Sequence, residues 1–311
     1  MLYRVWNSSN RLALVLGLLA LFAMFMVVAC GDDDEDAAPA AETTSDADAP
    51  EVVQGITIPP KGASKILDNV RERGELRVAV AMALPWLGQN PSNSELVGPA
   101  WTLAEKVAEI LGVKITPVFT TWDALLPGAL ADKFDISVAA TYDTPERREV
   151  VDFVNWSESG LCFSVMKDSG LKTIDDLNSP NVKMVIGMGT GTEQTTRATL
   201  PEANIEAIPP APGVSFSQNL LLAGRSDAVP FDSPMALAVE REFPDLQIIP
   251  GGAKECIANP HATREIGLFH LKNEPELNKF LAAIATKWDD QLQEELLHWS
   301  DPVIQDELKG E

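Results

Sequence analysis

Strand and helix signals alternate along most of this chain, and that alternation limits its fold more than any other feature of the sequence. Ser64 to Arg73 reads as a short amphipathic helix closed by Gly74, and Leu76 to Val80 alternates as a strand. Pro99 to Leu111 places Leu103, Val107, Ile110 and Leu111 at helical spacing and stops at Gly112. Val113 to Phe119 reads as strand, Trp122 to Leu130 as helix, and Ile136 to Ala140 as strand. The alternation resumes with strands at Val185 to Gly187, Ile205 to Ile208, Ala228 to Phe231 and Leu246 to Ile249. Helices at Thr192 to Leu200, Ser217 to Ala223 and Ser233 to Arg241 separate them. Repeated βα units predict mostly parallel sheets covered by helices on both faces. Two apolar strands, Leu161 to Met166 and Ile266 to Leu271, bracket the second set and read as crossings between two lobes. Pro275 to Trp288 then forms an amphipathic helix with Leu277, Phe280, Leu281, Ile284 and Trp288 on one face.

The first 60 residues do not share this pattern. Arg4 and Arg11 flank an apolar run, Leu12 to Ala29, that ends at Val27-Val28-Ala29-Cys30. A basic leader, an apolar core and small residues before the break describe a secretory signal. The run is also long enough to span a membrane as an uncleaved anchor. Val-Val-Ala-Cys resembles a bacterial lipobox, which implies a signal peptide over residues 1–30 and lipidation of Cys30. Residues 31–60 are acidic and rich in Ala, Pro and Thr, with no basic residue before Lys61, and are expected to be a disordered tether. Their acids lack the spacing of a calcium loop.

Lys61 onward leaves about 250 residues, room for one large domain or two ordinary ones. The net charge of −22 argues against nucleic acid and anionic membrane surfaces as partners. The three histidines, His261, His270 and His298, lack metal-ligand spacing, so no metal and no cofactor is expected. Cys162 and Cys256 form one disulfide in an exported chain or stay as two buried thiols.

The stretch from Phe134 to Phe153 carries the candidate site. The strand ending near Ala140 opens into Thr141-Tyr142-Asp143-Thr144-Pro145-Glu146-Arg147-Arg148. Thr144 before Pro145 is a helix-start signal, and the carboxyl ends of strands are where open α/β sheets bind ligands. Arg147 there offers a planar fork suited to a carboxylate. Arg148 reads as a solvated charge paired with Glu146 and Glu149.

Taken together, the body resembles the bacterial extracellular solute-binding proteins of the polar amino-acid ABC transporter family (family 3), over about Ser64 to Trp299. The resemblance rests on Gly74-Glu75-Leu76-Arg77-Val78, Leu96-Val97-Gly98, Leu111-Gly112-Val113, Phe134-Asp135-Ile136, Thr144-Pro145-Glu146-Arg147 and Val151-Asp152-Phe153. Gly189-Thr190-Gly191-Thr192-Glu193 and Gly224-Arg225-Ser226-Asp227-Ala228 leading to Asp232 complete it. It implies the α/β, two-lobed periplasmic binding protein type II fold, with two mostly parallel sheets and two hinge crossings. Lobe one is expected at 61–161 and 267–311, and lobe two at 162–266.

The resemblance also implies roles. Arg147 would hold the α-carboxylate of an amino acid, helped by Thr190, Gly191 and Thr192 at a helix start, where free N–H groups favour an anion. The register is open, since Gly189-Thr190 and Gly191-Thr192 both fit. Asp232 would take the α-amino group; its other role is a helix cap before Ser233 and Pro234. Ala140 and Tyr142 fall at the same strand end, and Trp86 and Trp122 lie where the family presents aromatic walls, although either suits lobe-one core. Ala81-Met82-Ala83-Leu84 and Tyr142 replace polar residues common in the family, which points to a less basic, partly apolar ligand. Cys162 and Cys256, both near the crossings, are expected to be joined, Cys30 being committed to lipid.

The implied function is an extracytoplasmic, lipid-anchored monomer that passes an amino acid to an ABC-type permease. A ligand sensor for a separate receptor is an alternative. So is an enzyme, because periplasmic cyclohexadienyl dehydratases resemble this family and use a glutamate after the Gly-rich turn as general acid. Glu193 falls there, with first-turn support of the helix dipole as its other role. No further acid–base partners accompany it in the sequence, so a binding protein is expected.

Overall fold

The computed structural model describes residues 51–209 and 215–309. The apolar leader, Cys30 and the acidic stretch up to residue 50 lie outside the described residues.

The described chain opens on a hairpin, β1 (Val52–Val53) with β2 (Ile56–Thr57). Its turn, Gln54 and Gly55, has φ values of 52° and 77°, the pair of positive values that marks a type I′ hairpin loop. Ile56 and Ile58 are buried in the large core, and Gln54 Nε2 donates to Glu109 Oε1 at 2.7 Å. This corrects the expected tether over residues 51–60. Val53, Ile56 and Ile58 give that segment apolar surface to bury, unlike the acidic stretch before it.

Helix α1 (Lys65–Arg73) is capped by Ser64, whose hydroxyl accepts from Leu67 N, and closed by Gly74 at φ 66°. Strand β3 (Glu75–Val80) follows, then a small antiparallel pair, β4 (Gly88–Gln89) and β5 (Leu96–Val97). Pro99 opens α2 (Pro99–Leu111), and Gly112 ends it in the left-handed conformation. After β6 (Lys114–Phe119), a 3-10 turn at Trp122–Ala124 runs into α3 (Leu125–Leu130), and β7 (Ile136–Tyr142) carries the chain to the cleft.

Here the structure departs from the expected helix at Thr144. Thr144 Oγ1 does accept from Arg147 N at 3.3 Å, but only one 3-10 turn forms, Arg147–Glu149. Val150 and Val151 then lead into β8 (Val151–Met166), an extended run of 16 residues in which β-branched and aromatic side chains favour strand.

The second half comprises α4 (Ile174–Leu177), β9 (Lys183–Gly187), α5 (Gly191–Thr199), β10 (Asn204–Ile208), α6 (Ser215–Leu222) and β11 (Ala228–Asp232). A 3-10 turn at Ser233–Met235 leads to α7 (Ala236–Glu242), β12 (Leu246–Ile249) and α8 (Ala253–Ala258). Strand β13 (His261–Leu271) returns to the first half, followed by α9 (Pro275–Lys287), α10 (Asp289–Ser300) and α11 (Pro302–Lys309).

Strand pairing is parallel within each half: β3 with β6 and β7, and β9 with β10 and β11. The crossing strands pair antiparallel, with each other and with β7, β11 and β12. Because β8 and β13 are long enough to bond to both halves, the expected two sheets join into one nine-stranded mixed sheet. Its order is β10-β9-β11-β8-β13-β7-β3-β6, with β12 beside β8.

The apolar cores nevertheless stay separate. Two clusters are built from residues up to Trp156 and from Ile266 onward, and two from Leu161 to Cys256. The change falls inside β8 and β13, so Leu161 packs with the second lobe and Ile266 with the first, each opposite to its expected side. Cys162 on β8 and Cys256 on α8 form a disulfide inside the second lobe, with Cα atoms 5.9 Å apart. β13 shifts register between His261 and Arg264 and between Ile266 and Gly267, within the crossing.

Candidate functional site

The turn after β7 places Arg147 between the lobes. Arg147 is 5% exposed, and its Nη1 donates to Tyr142 O at 2.6 Å and its Nη2 to Gly189 O at 3.1 Å. A guanidinium carries five donors, and these contacts spend two on carbonyls rather than on a carboxylate. Burial pushes its pKa down to about 10, against the opposing pull of Glu146 and Asp143. An anion at this position would restore what burial removes.

On the opposite wall, Thr190 is the N-cap of α5: its hydroxyl accepts from Glu193 N at 3.1 Å and donates to Gly187 O at 2.7 Å. Gly191 and Thr192 are therefore the first helical residues. Their amides belong to the group that has no intrahelical acceptor. Glu193 turns back to Gly189 N at 2.8 Å and pairs with Arg197 at 3.0 Å, so both carboxylate oxygens are engaged.

Asp232 closes β11. Its carboxylate accepts hydrogen bonds from the Tyr142 hydroxyl and, at 3.4 Å, from Ser159 Oγ. Burial pushes its pKa up to about 6, with those two bonds acting in the other direction. Burial, then the nearby carboxylate, drives the Tyr142 phenol well above its ordinary value, so the hydroxyl stays a donor. Tyr142 also touches α5 through its ring. A Cβ on Gly191 would lie 2.5 Å from Tyr142 Cγ, so glycine is the residue that lets the lobes meet here. Gly189, at φ 75°, comes similarly close to Asp123, 3.0 Å from its Cα to an ideal Cβ.

A cavity of about 140 Å³ lies between these groups. Arg147, Ala140, Tyr142, Trp86 and Trp122 line it from the first lobe. Thr190, Gly191, Thr192 and Asp232 line it from the second, so the candidate ligand-binding residues from the sequence fall on one cavity, whereas Glu193 does not. Trp86 belongs mostly to the core: it is 1% exposed and its Nε1 donates to Ser157 Oγ at 3.3 Å. Trp122 is half-buried and faces the cavity while packing on the core beneath β7.

Arg148 takes a different partner from the one expected. It grips Asp143 with two donors, Nε to Oδ1 at 2.6 Å, and its guanidinium sits 5.8 Å over the Phe153 ring. Asp143 also accepts from Asn155 Nδ2 at 2.8 Å, which secures the turn to the crossing strand. Sequence reading did not single out Phe216, Met235, Thr141 or Ile208, all of which line the cavity. Phe216 and Ile208 flank residues 210–214 and carry no pattern that marks a site. Met235 follows Asp232 by three residues, a spacing that could have found it.

Two α/β lobes joined by crossing strands, with a buried cation facing a carboxylate across a cavity, define a two-lobed ligand-binding protein. The chain matches the model for bacterial extracellular solute-binding proteins, family 3, over residues 76–301, and it belongs to that family. It is similar to the L-cystine-binding protein TcyJ of Escherichia coli K12, 26% identical over 65% of this chain and 75% of that one. It is likewise similar to cyclohexadienyl dehydratase of Pseudomonas aeruginosa, 26% identical over 58% of this chain and 67% of that one. Among solved structures, it resembles the ancestral amino acid-binding protein AncCDT-1, a precursor of cyclohexadienyl dehydratase. That match has a TM-score of 0.64 and 29% identity, over 76% of this chain and 99% of that one. The arginine-bound form of truncated ArgBP from T. maritima matches at TM-score 0.60 and 27% identity, over 71% of this chain and 99% of that one.

Proposed function

We propose that the protein captures a free amino acid between its two lobes and delivers it to an ABC-type permease. The observation that carries this reading is the pairing of Arg147 and Asp232 across one cavity. A zwitterion brings an anion and a cation, and a closing cleft must satisfy both as it strips away water. Arg147 with the Gly191 and Thr192 amides suits the carboxylate, and Asp232 suits the ammonium. The amino-acid-binding relatives support the same ligand class.

A dehydratase reading has one relative in its favour. Against it, Glu193 is engaged by Gly189 N and Arg197 and does not line the cavity. Lipidation at Cys30, anchorage at the outer face of a membrane and a monomeric state complete the proposal, in keeping with the leader and its Val-Val-Ala-Cys stretch. The receptor-sensor alternative shares the same cleft chemistry.

The test is calorimetric titration with free amino acids, followed by recovery of the ligand. Saturable binding with the ligand returned unchanged supports transport. Release of phenylalanine or phenylpyruvate from arogenate or prephenate, lost in Glu193→Gln, would replace it with the enzyme. Mass spectrometry of the mature chain reads the lipid on Cys30.

A further inference from the structure

Beyond the clamp, the cavity wall has a chemical character of its own. Met82, Ala83, Trp122, Ile208, Phe216 and Met235 form much of it, and among the described residues Arg147 and Asp232 are its only ionisable side chains besides the Tyr142 phenol. Of the five lining hydroxyls, those of Thr141, Tyr142 and Thr190 donate to Ala139 O, Asp232 and Gly187 O, so their protons are committed to the protein. Those of Thr192 and Ser217 add neutral polar groups but no charge. The nearby charges do not line the cavity: Glu193 is engaged by Arg197 and Gly189 N, Arg264 donates to Thr195 Oγ1 at 3.2 Å, and Asp123 packs against Gly189.

From this we infer that the ligand is an α-amino acid whose side chain is uncharged and apolar, aliphatic, thioether or aromatic. The inference rests on the amino-acid reading of the site. Its physical basis is differential: the clamp binds the backbone of any amino acid equally, so the remaining wall sets the choice. A charged side chain entering it would lose water with no partner of opposite sign, a large cost. An apolar side chain would gain from leaving water, and each buried methylene adds to that gain. The two methionines favour unbranched or irregular side chains as well, because thioethers adapt to shape and make good contacts with aromatic rings.

The experiment is calorimetry on the full chain with glycine, leucine, methionine, phenylalanine, arginine, lysine and glutamate. At least one of the three apolar ligands should bind roughly ten- to hundredfold more tightly than glycine. Arginine, lysine and glutamate should bind no more tightly than glycine. Tightest binding by any of these charged ligands overturns the apolar assignment and leaves the amino-acid reading standing. Failure of all seven to bind removes the reading beneath it, and the inference with it. Phe216→Ala provides the internal control, since Phe216 is 45% exposed and its loss should spare the fold. It should weaken the best apolar ligand several-fold and leave glycine unchanged; an equal loss for glycine would also overturn the assignment.

Discussion

The two walls of the cleft prepare for the same ligand in different ways. On the first lobe the charge comes from one side chain, Arg147, held by a single 3-10 turn and buried against two carbonyls. On the second lobe the anion-binding part comes from backbone: a helix start with Thr190 as cap and Gly191 close enough to meet Tyr142. A side chain is lost by one truncation, whereas a helix start is disturbed chiefly by filling the space around it. The expected effects of mutation should therefore differ in kind between the walls.

The largest effect should come from the first lobe. Removing one partner of a buried charge pair costs about 3–5 kcal/mol, or roughly two to three and a half decades of affinity. Arg147→Ala should lose that much in calorimetry while keeping its circular dichroism. Full affinity in this variant would mean that the helix start alone holds the carboxylate. Asp232→Asn should come next, at about 2–3 kcal/mol, because an amide can still accept from Tyr142 and Ser159 but carries no charge.

Gly191→Ala sharpens the contrast. Its added Cβ would meet the Tyr142 ring at 2.5 Å, so the walls should be held apart and binding weakened about ten- to hundredfold. Pairing it with Tyr142→Ala makes room again, so the double variant should bind better than the sum of the single losses predicts. Strict additivity in that cycle would show that the contact does not limit closure.

Proton linkage separates the walls a second way. Asp232 has a pKa of about 6 in the ligand-free protein, and an ammonium ion favours its charged form. Affinity should therefore fall about tenfold between pH 7 and pH 5, as the carboxyl takes up a proton. Asp232→Asn should flatten that slope. The sign for stability is opposite. A carboxyl with a raised folded pKa favours the ligand-free fold below its unfolded value near 4, and that contribution is lost as pH rises through about 6. Thermal unfolding of the ligand-free protein, wild type against Asp232→Asn, reads it.

Much of this was legible because strand and helix periods announce themselves. Leu103, Val107 and Ile110 mark the buried face of α2, and the strand end that carries Arg147 is visible from Ile136 onward. The register at Gly189 to Thr192 was open because two Gly-Thr pairs compete. Thr190 with Glu193 three residues later is itself a capping signal, and the structure uses it, although Glu193 reaches back to Gly189 rather than to the cap. The hairpin at Val52 to Thr57 was hidden by its acidic neighbourhood, since composition averaged over residues 31–60 masks six residues with a turn at Gln54-Gly55. The helix expected at Thr144 had a correct cap but no apolar face to bury, so tertiary pairing of β8 took over at Val151.

The smallest effect on binding should be at Arg148, the neighbour of the clamp. Its guanidinium is half exposed and faces Asp143, not the cavity, so it makes no direct contribution to the ligand. Asp143 is mostly buried and keeps Asn155 as a donor when Arg148 is removed, so the carboxylate is not left wholly without a partner. Because the pair also fixes the turn that carries Arg147, some loss of stability is expected, about 1 kcal/mol for a pair open to water on one side. Arg148→Ala should thus lower the melting temperature by a few degrees and leave ligand affinity within about twofold. An affinity loss equal to that of Arg147→Ala would mean that the turn as a whole, rather than the Arg147 fork, is what the first wall contributes.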